Sequence, residues 1–127
     1  MLQTLVLLSV GAILGVFGRY FVTHLSSQLS HHHGFPYGTL IVNVVASLLL
    51  GFVLSWSAAR VMDDRWRLFL ATGFCGTLST FSAFAFESAL YLKEGRPGMF
   101  MLNLALNGVL CITAIFLGVY LSSVHWG

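Results

Sequence analysis

From Leu68 to Phe86 the chain carries no formal charge, a run long enough to cross a lipid bilayer. Its centre is poor helix material. Between Gly73 and Ser82 stand two glycines and four hydroxyl residues, where a plain lipid-facing helix would carry Leu, Ile and Val. Irregular backbone at membrane depth survives only where it is buried in protein or lines a wet cavity, since lipid offers peptide groups no partners. The stretch Gly73–Phe84 therefore predicts a membrane helix broken at mid-depth, with freed carbonyls and hydroxyls put to use. The competing structure is a continuous helix whose small residues only let a neighbour approach.

The rest of the chain agrees with a membrane setting. Of 127 residues, 57% are hydrophobic and 8% charged, against about 25% charged in soluble domains. Four spans are expected, at about 2–24, 37–59, 66–91 and 97–122, forming one all-α membrane domain. Met1–Gly18 has no basic leading segment and no convincing cleavage site, so it reads as the first span rather than a removed signal. Cys75 and Cys111 lie in apolar runs without metal-ligand spacing and read as buried apolar thiols. No nucleophile is paired with a base, so catalysis is not expected.

Several polar residues fall inside the spans. Gly11 and Gly15 form a GxxxG that suits close helix contact, and Gly18 extends it towards Arg19. Arg19 either snorkels to headgroups or holds positive potential at a pore mouth. In span two, Thr39, Asn43, Ser47 and Gly51 recur every four residues and share one helical stripe. An asparagine within a span needs amide partners, either in a neighbouring helix or in an ion that its N–H₂ can meet. Phe81 and Phe84 share a face in span three. Such pairs usually pack, but their electropositive ring edges also suit a small anion. Glu87 ends the uncharged run, and Asn103 and Asn107 lie on one face of span four. His31–His33 fall in a polar connection expected to be a solvated loop, since adjacent histidines diverge and make a poor metal site.

Orientation is undecided by charge. Arg60, Arg65 and Arg67 lie on the side of the termini, and Arg19, Lys93 and Arg96 on the other. Equal numbers defeat the positive-inside rule, so both insertions are expected, and two opposed copies would pair as an antiparallel dimer. Four helices leave little interior for a path, which also argues for at least a dimer. The GxxxG face and the broken span are the expected places to associate.

Three ordered motifs bear a family likeness. Gly11-Ala-Ile-Leu-Gly15-Val-Phe-Gly18-Arg19-Tyr20, then Pro36-Tyr-Gly38-Thr39-Leu40-Ile-Val-Asn43, then Gly73-Phe-Cys-Gly76 through Thr80-Phe81-Ser82-Ala-Phe84, resemble the Fluc (CrcB) fluoride channels. Glu87, Glu94-Gly95-Arg96 and the Asn103/Asn107 pair also fit, and the likeness covers nearly the whole chain. The resemblance implies a dual-topology antiparallel homodimer in the bacterial inner membrane, with two pathways that export toxic fluoride passively. It implies that Phe81 and Phe84 contact the ion and that Asn43 hydrogen-bonds it, with Ser82 and Thr80 nearby. Asn103 and Asn107 would line a polar track, and Arg19 a vestibule. It further implies a structural sodium at the dimer centre, held by backbone carbonyls of Gly76 and Ser79. Thr77, Ser79, Ala83 and Ala46 depart from the usual family residues, and Ala83 removes one hydroxyl. The rival class is a small dual-topology multidrug or cation exporter, which needs an ionisable residue deep in the membrane. Span one has no carboxylate, and Glu87 stands near a span end.

Overall fold

A computed structural model describes residues 1–59 and 62–124. The chain runs α1 (Leu2–His33), α2 (Tyr37–Ala59), a short α3 (Asp64–Arg67), a π-helical segment (Leu68–Cys75), α4 (Gly76–Leu78), α5 (Phe81–Lys93) and α6 (Pro97–Val124). Four helical stretches are long and apolar enough to cross a membrane: Leu2–His33, Tyr37–Ala59, Asp64–Lys93 and Pro97–Val124. The second matches its expected limits. The third and fourth run two residues longer at the ends that differ, and Arg60 lies outside the described residues.

The first helix differs more. It has 32 residues rather than ending near His24, and it carries His31–His33 in its last turn. The histidines are exposed, as expected, but helical rather than looped. No proline or glycine interrupts His24–His33, so the winding continues until Gly34. Gly34 takes the left-handed conformation (φ 64°), and its N–H donates to the Ser30 carbonyl at 2.8 Å. Among the described residues no three His, Cys, Asp or Glu side chains gather into a metal-binding group.

Glycine fixes how the helices meet. A Cβ on Gly11 would lie 2.6 Å from the Phe69 carbonyl oxygen, and one on Gly15 would overlap the Phe74 carbonyl and the Thr77 hydroxyl. The GxxxG face is thus used within the chain, against the π segment and α4, and is not the free association surface the sequence suggested. The Thr77 hydroxyl lies 3.0 Å from the Ala12 carbonyl and tightens the same seam. A second seam joins α2 to α6, where Gly51 meets the Ile115 carbonyl and Gly118 meets the Leu48 carbonyl. Between these seams Val42, Ala46 and Leu78 form the buried core, flanked by Val22 and Phe74.

Polar anchors sit at the helix ends. Asp63 caps α3 by accepting from the Arg65 N–H at 2.9 Å. Hydrogen bonding from the Arg65 side chain and backbone holds the Asp63 carboxyl below its usual range. The described ion pairs are Arg65–Asp63, Arg67–Asp64 and Arg96–Glu94, and Arg19 and Lys93 join none of these.

Candidate functional site

The stripe on α2 and the interruption of the third helical stretch meet each other. Winding stops at Leu78 and resumes at Phe81, with Ser79 (φ −76°, ψ 158°) and Thr80 (φ −149°, ψ 113°) extended between. Thr80 caps α5, its hydroxyl oxygen accepting from the Ala83 N–H at 3.3 Å. Its own N–H donates to Asn43 Oδ1 at 2.8 Å. Two helical acceptors are thereby released. The Gly76 carbonyl would take the Thr80 N–H and the Ser79 carbonyl the Ala83 N–H in an unbroken helix, and both donors are now turned to side-chain oxygens.

From Asn43 the hydrogen bonds continue into α6. Asn43 Nδ2 donates to Asn107 Oδ1 at 3.1 Å and makes a longer contact with the Thr80 carbonyl at 3.4 Å. Asn107 Nδ2 donates to Asn103 Oδ1 at 2.9 Å and to the Asn103 carbonyl at 3.1 Å. Asn103 Nδ2 donates to Ser88 Oγ at 3.0 Å, and Ser88 donates to the Phe84 carbonyl at 2.7 Å. Buried amides are stable here because each finds partners.

Beside this network lies an open cleft of about 320 Å³, lined among others by Asn43, Ser47, Ser79, Thr80, Phe81, Phe84, Asn107 and Cys111. The Phe81 and Phe84 rings stand 5.5 Å apart, tilted by 56°. Phe81 is 79% exposed, while Phe84 is half-buried. No basic side chain is among the lining residues, so donors here are amides, hydroxyls, a thiol and ring edges.

The structure brings most of the sequence-derived residues together and leaves others apart. Asn43, Thr80, Phe81, Phe84 and Asn107 come together at the cleft. Ser82 is exposed, touches the site through its hydroxyl 3.3 Å from that of Thr80, and does not line the cleft. Asn103 has no exposed surface and supports Asn107 from behind. Arg19 is half-buried on α1, outside the cleft lining. Cys111 was expected to be a buried apolar thiol, but it is half-buried and faces the cleft. The signal for it was present: Asn103, Asn107 and Cys111 follow one another at four-residue spacing. Cys75, by contrast, is buried. Ser88 escaped notice, because a helical serine ordinarily bonds back to its own turn. Further along, Thr39 donates to Glu87 Oε1 at 2.6 Å, while Oε2 has no partner among the described residues.

A bundle of apolar, membrane-length helices around an interrupted segment, a polar amide network and a charge-free cleft defines a multi-pass membrane protein. Residues 6–119 match the model of the family described as CrcB-like protein, Camphor Resistance (CrcB). A Pyrococcus abyssi protein named fluoride-specific ion channel FluC is 42% identical over 123 residues, 95% of this chain and 97% of the relative. A Koribacter versatilis protein of the same name is 40% identical over 108 residues, covering 84% and 85%. Another, from Methanocaldococcus jannaschii, is 36% identical over 118 residues, 93% of each. The chain belongs to the CrcB family.

Proposed function

We propose that this chain is a fluoride channel, passing the ion down its gradient through the Phe81–Phe84 cleft without covalent chemistry. The carrying observation is the Asn43 amide, which ties the interrupted segment to α6 in a cleft lined by two phenyl rings and no cation. Fluoride is small and strongly hydrated, so a path must replace its water with donors and still release it. Neutral amide and hydroxyl donors, with electropositive ring edges, meet both demands. A fixed cation at that depth would hold the ion too firmly. The names of the matching relatives support the same ion, and they do not favour a proton-coupled exporter.

The working unit in this reading is an antiparallel, dual-topology homodimer in the bacterial inner membrane, with the Ser79–Thr80 interruption at mid-membrane and two pathways. The balanced charges at the two ends of the spans support dual insertion. The exposure of Phe81 beside an open cleft supports a second copy as its cover. The carbonyls of Gly76 and Ser79, released from helical donors, suit a hard monovalent cation, so they would hold a sodium ion between subunits. Bound there, sodium supplies positive charge that compensates these carbonyls. The chain's own residues supply the anion's donors. Arg19, on α1, would raise the local anion concentration in an aqueous vestibule.

Purified protein in liposomes loaded with potassium fluoride tests the reading. Fluoride should leave rapidly once a potassium ionophore balances charge, without a proton gradient, while chloride stays. Slow, proton-dependent release would overturn it.

A further inference from the structure

The five-link hydrogen-bond chain has a direction, and its two ends determine it. At one end stands the Thr80 backbone N–H, which can only donate; at the other stands the Phe84 carbonyl, which can only accept. Between them lie Asn43, Asn107, Asn103 and Ser88. An amide has an oxygen face and a nitrogen face that are otherwise interchangeable in shape. Here each must show its oxygen towards Thr80 and its nitrogen towards Phe84. Reversing any one would set donor against donor, and for Asn43 or Asn107 acceptor against acceptor as well, in a part of the protein where Asn103 and Asn107 have almost no exposure.

We propose that Ser88 and Asn103 are positioning residues for conduction, acting as a polarity lock that keeps the Asn43 amide with its nitrogen available to an anion. Neither residue lines the cleft. Asn43 does, and one of its two amide hydrogens is held only by the long contact to the Thr80 carbonyl. That hydrogen is the donor an entering anion can take at small cost. With the inner links gone, the Thr80 N–H would still hold Asn43 Oδ1, but nothing behind Asn107 would keep the Asn43 nitrogen aimed in one direction at the cleft. The Ser88 hydroxyl closes the chain: with its one hydrogen given to the Phe84 carbonyl, it offers Asn103 a lone pair, which the Asn103 nitrogen fills. This inference rests on the cleft being the fluoride path.

Fluoride efflux from liposomes, measured on intact purified protein, tests it through Ser88→Ala, Asn103→Ala, the double variant and Ser88→Thr. Each alanine variant should slow efflux by about tenfold, the factor set by losing one buried hydrogen bond. The double variant should be no slower than the slower single, since both break one chain. Ser88→Thr, which restores the hydroxyl, should recover most of the rate. The Asn43 side-chain amide resonance should shift in Ser88→Ala, which mere packing loss at a distance would not produce. If Ser88→Ala yields no assembled protein, Ser88→Cys, with similar volume and a weak donor, takes its place with the same expected slowing. Wild-type rates in the Ser88 variant, or multiplying losses in the double, would overturn the lock. A wild-type protein that releases no fluoride would instead overturn the pathway on which it rests.

Discussion

Asn43 Oδ1 accepts the backbone N–H of Thr80 at 2.8 Å, so a side chain of α2 occupies the donor that would otherwise close a helical turn onto Gly76. Asn43 is therefore both part of the reason the third stretch is interrupted and part of what the interruption exposes.

Replacing Asn43 with Asp should preserve the Thr80 bond and abolish the donor. The new carboxylate would face Asn107 Oδ1, an acceptor now 3.1 Å away, and would repel an anion. Efflux should fall about a hundredfold, the scale of a lost hydrogen bond to a charged group, while detergent-solubilised protein keeps its elution volume. Wild-type efflux in Asn43→Asp would remove the residue from the pathway.

Phe81→Ile should act on conduction alone. The ring is largely exposed within the subunit, so little of the subunit core depends on it. What is lost is an aromatic edge beside Phe84. Efflux should drop at least about tenfold for a lost interaction of about 1.4 kcal/mol, with the thermal midpoint of the solubilised protein nearly unchanged.

Gly15→Ala should do the opposite. Its methyl group would overlap the Phe74 carbonyl and the Thr77 hydroxyl, prying α1 from the π segment and α4. A loss of about 1–3 kcal/mol is expected, visible as a lower midpoint in a melt followed by fluorescence. An unchanged midpoint would show that this seam can open without cost.

Cys111 should react with a charged methanethiosulfonate while Cys75 does not, since one lines the cleft and the other is buried. Modification should block efflux, and Cys111→Ser should conduct and resist the reagent. Block that persists in Cys111→Ser would place the sensitive thiol elsewhere.

If sodium sits between two copies as proposed, replacing it with a bulky organic cation should weaken their pairing, because the Gly76 and Ser79 carbonyls would lose the compensating charge. Cross-linking yield at fixed protein concentration reads this out, and a yield independent of sodium would dismiss the ion.

Much of this was legible in the residues. The Thr39, Asn43, Ser47 series placed one polar face of α2, and the four-residue step from Asn103 to Asn107 placed another on α6, because helical period converts spacing into direction. The crowd of glycines and hydroxyls located the interruption, although only Ser79 and Thr80 actually leave the helix. The π winding of Leu68–Cys75 was not legible, since it lies where carbonyls of this segment press against Gly11 and Gly15, a contact made across more than fifty residues. The roles of Ser88 and Cys111 were hidden for a related reason. A hydroxyl or thiol in an apolar helix has an uneventful local fate, and only the neighbouring helix reveals another. The histidine triplet misled because polarity suggested a loop, whereas a stop signal was absent until Gly34.

The first helix, at about 48 Å for its 32 residues, outlasts a hydrocarbon layer of about 30 Å by several turns. In the antiparallel arrangement proposed above, its exposed histidine-bearing tip would be a mast standing in water. Were two copies mounted head to tail, each compartment would see one such mast beside an identical entrance. A channel built that way would have no front or back, and only the concentrations and voltage across the membrane would tell the ion which way to go.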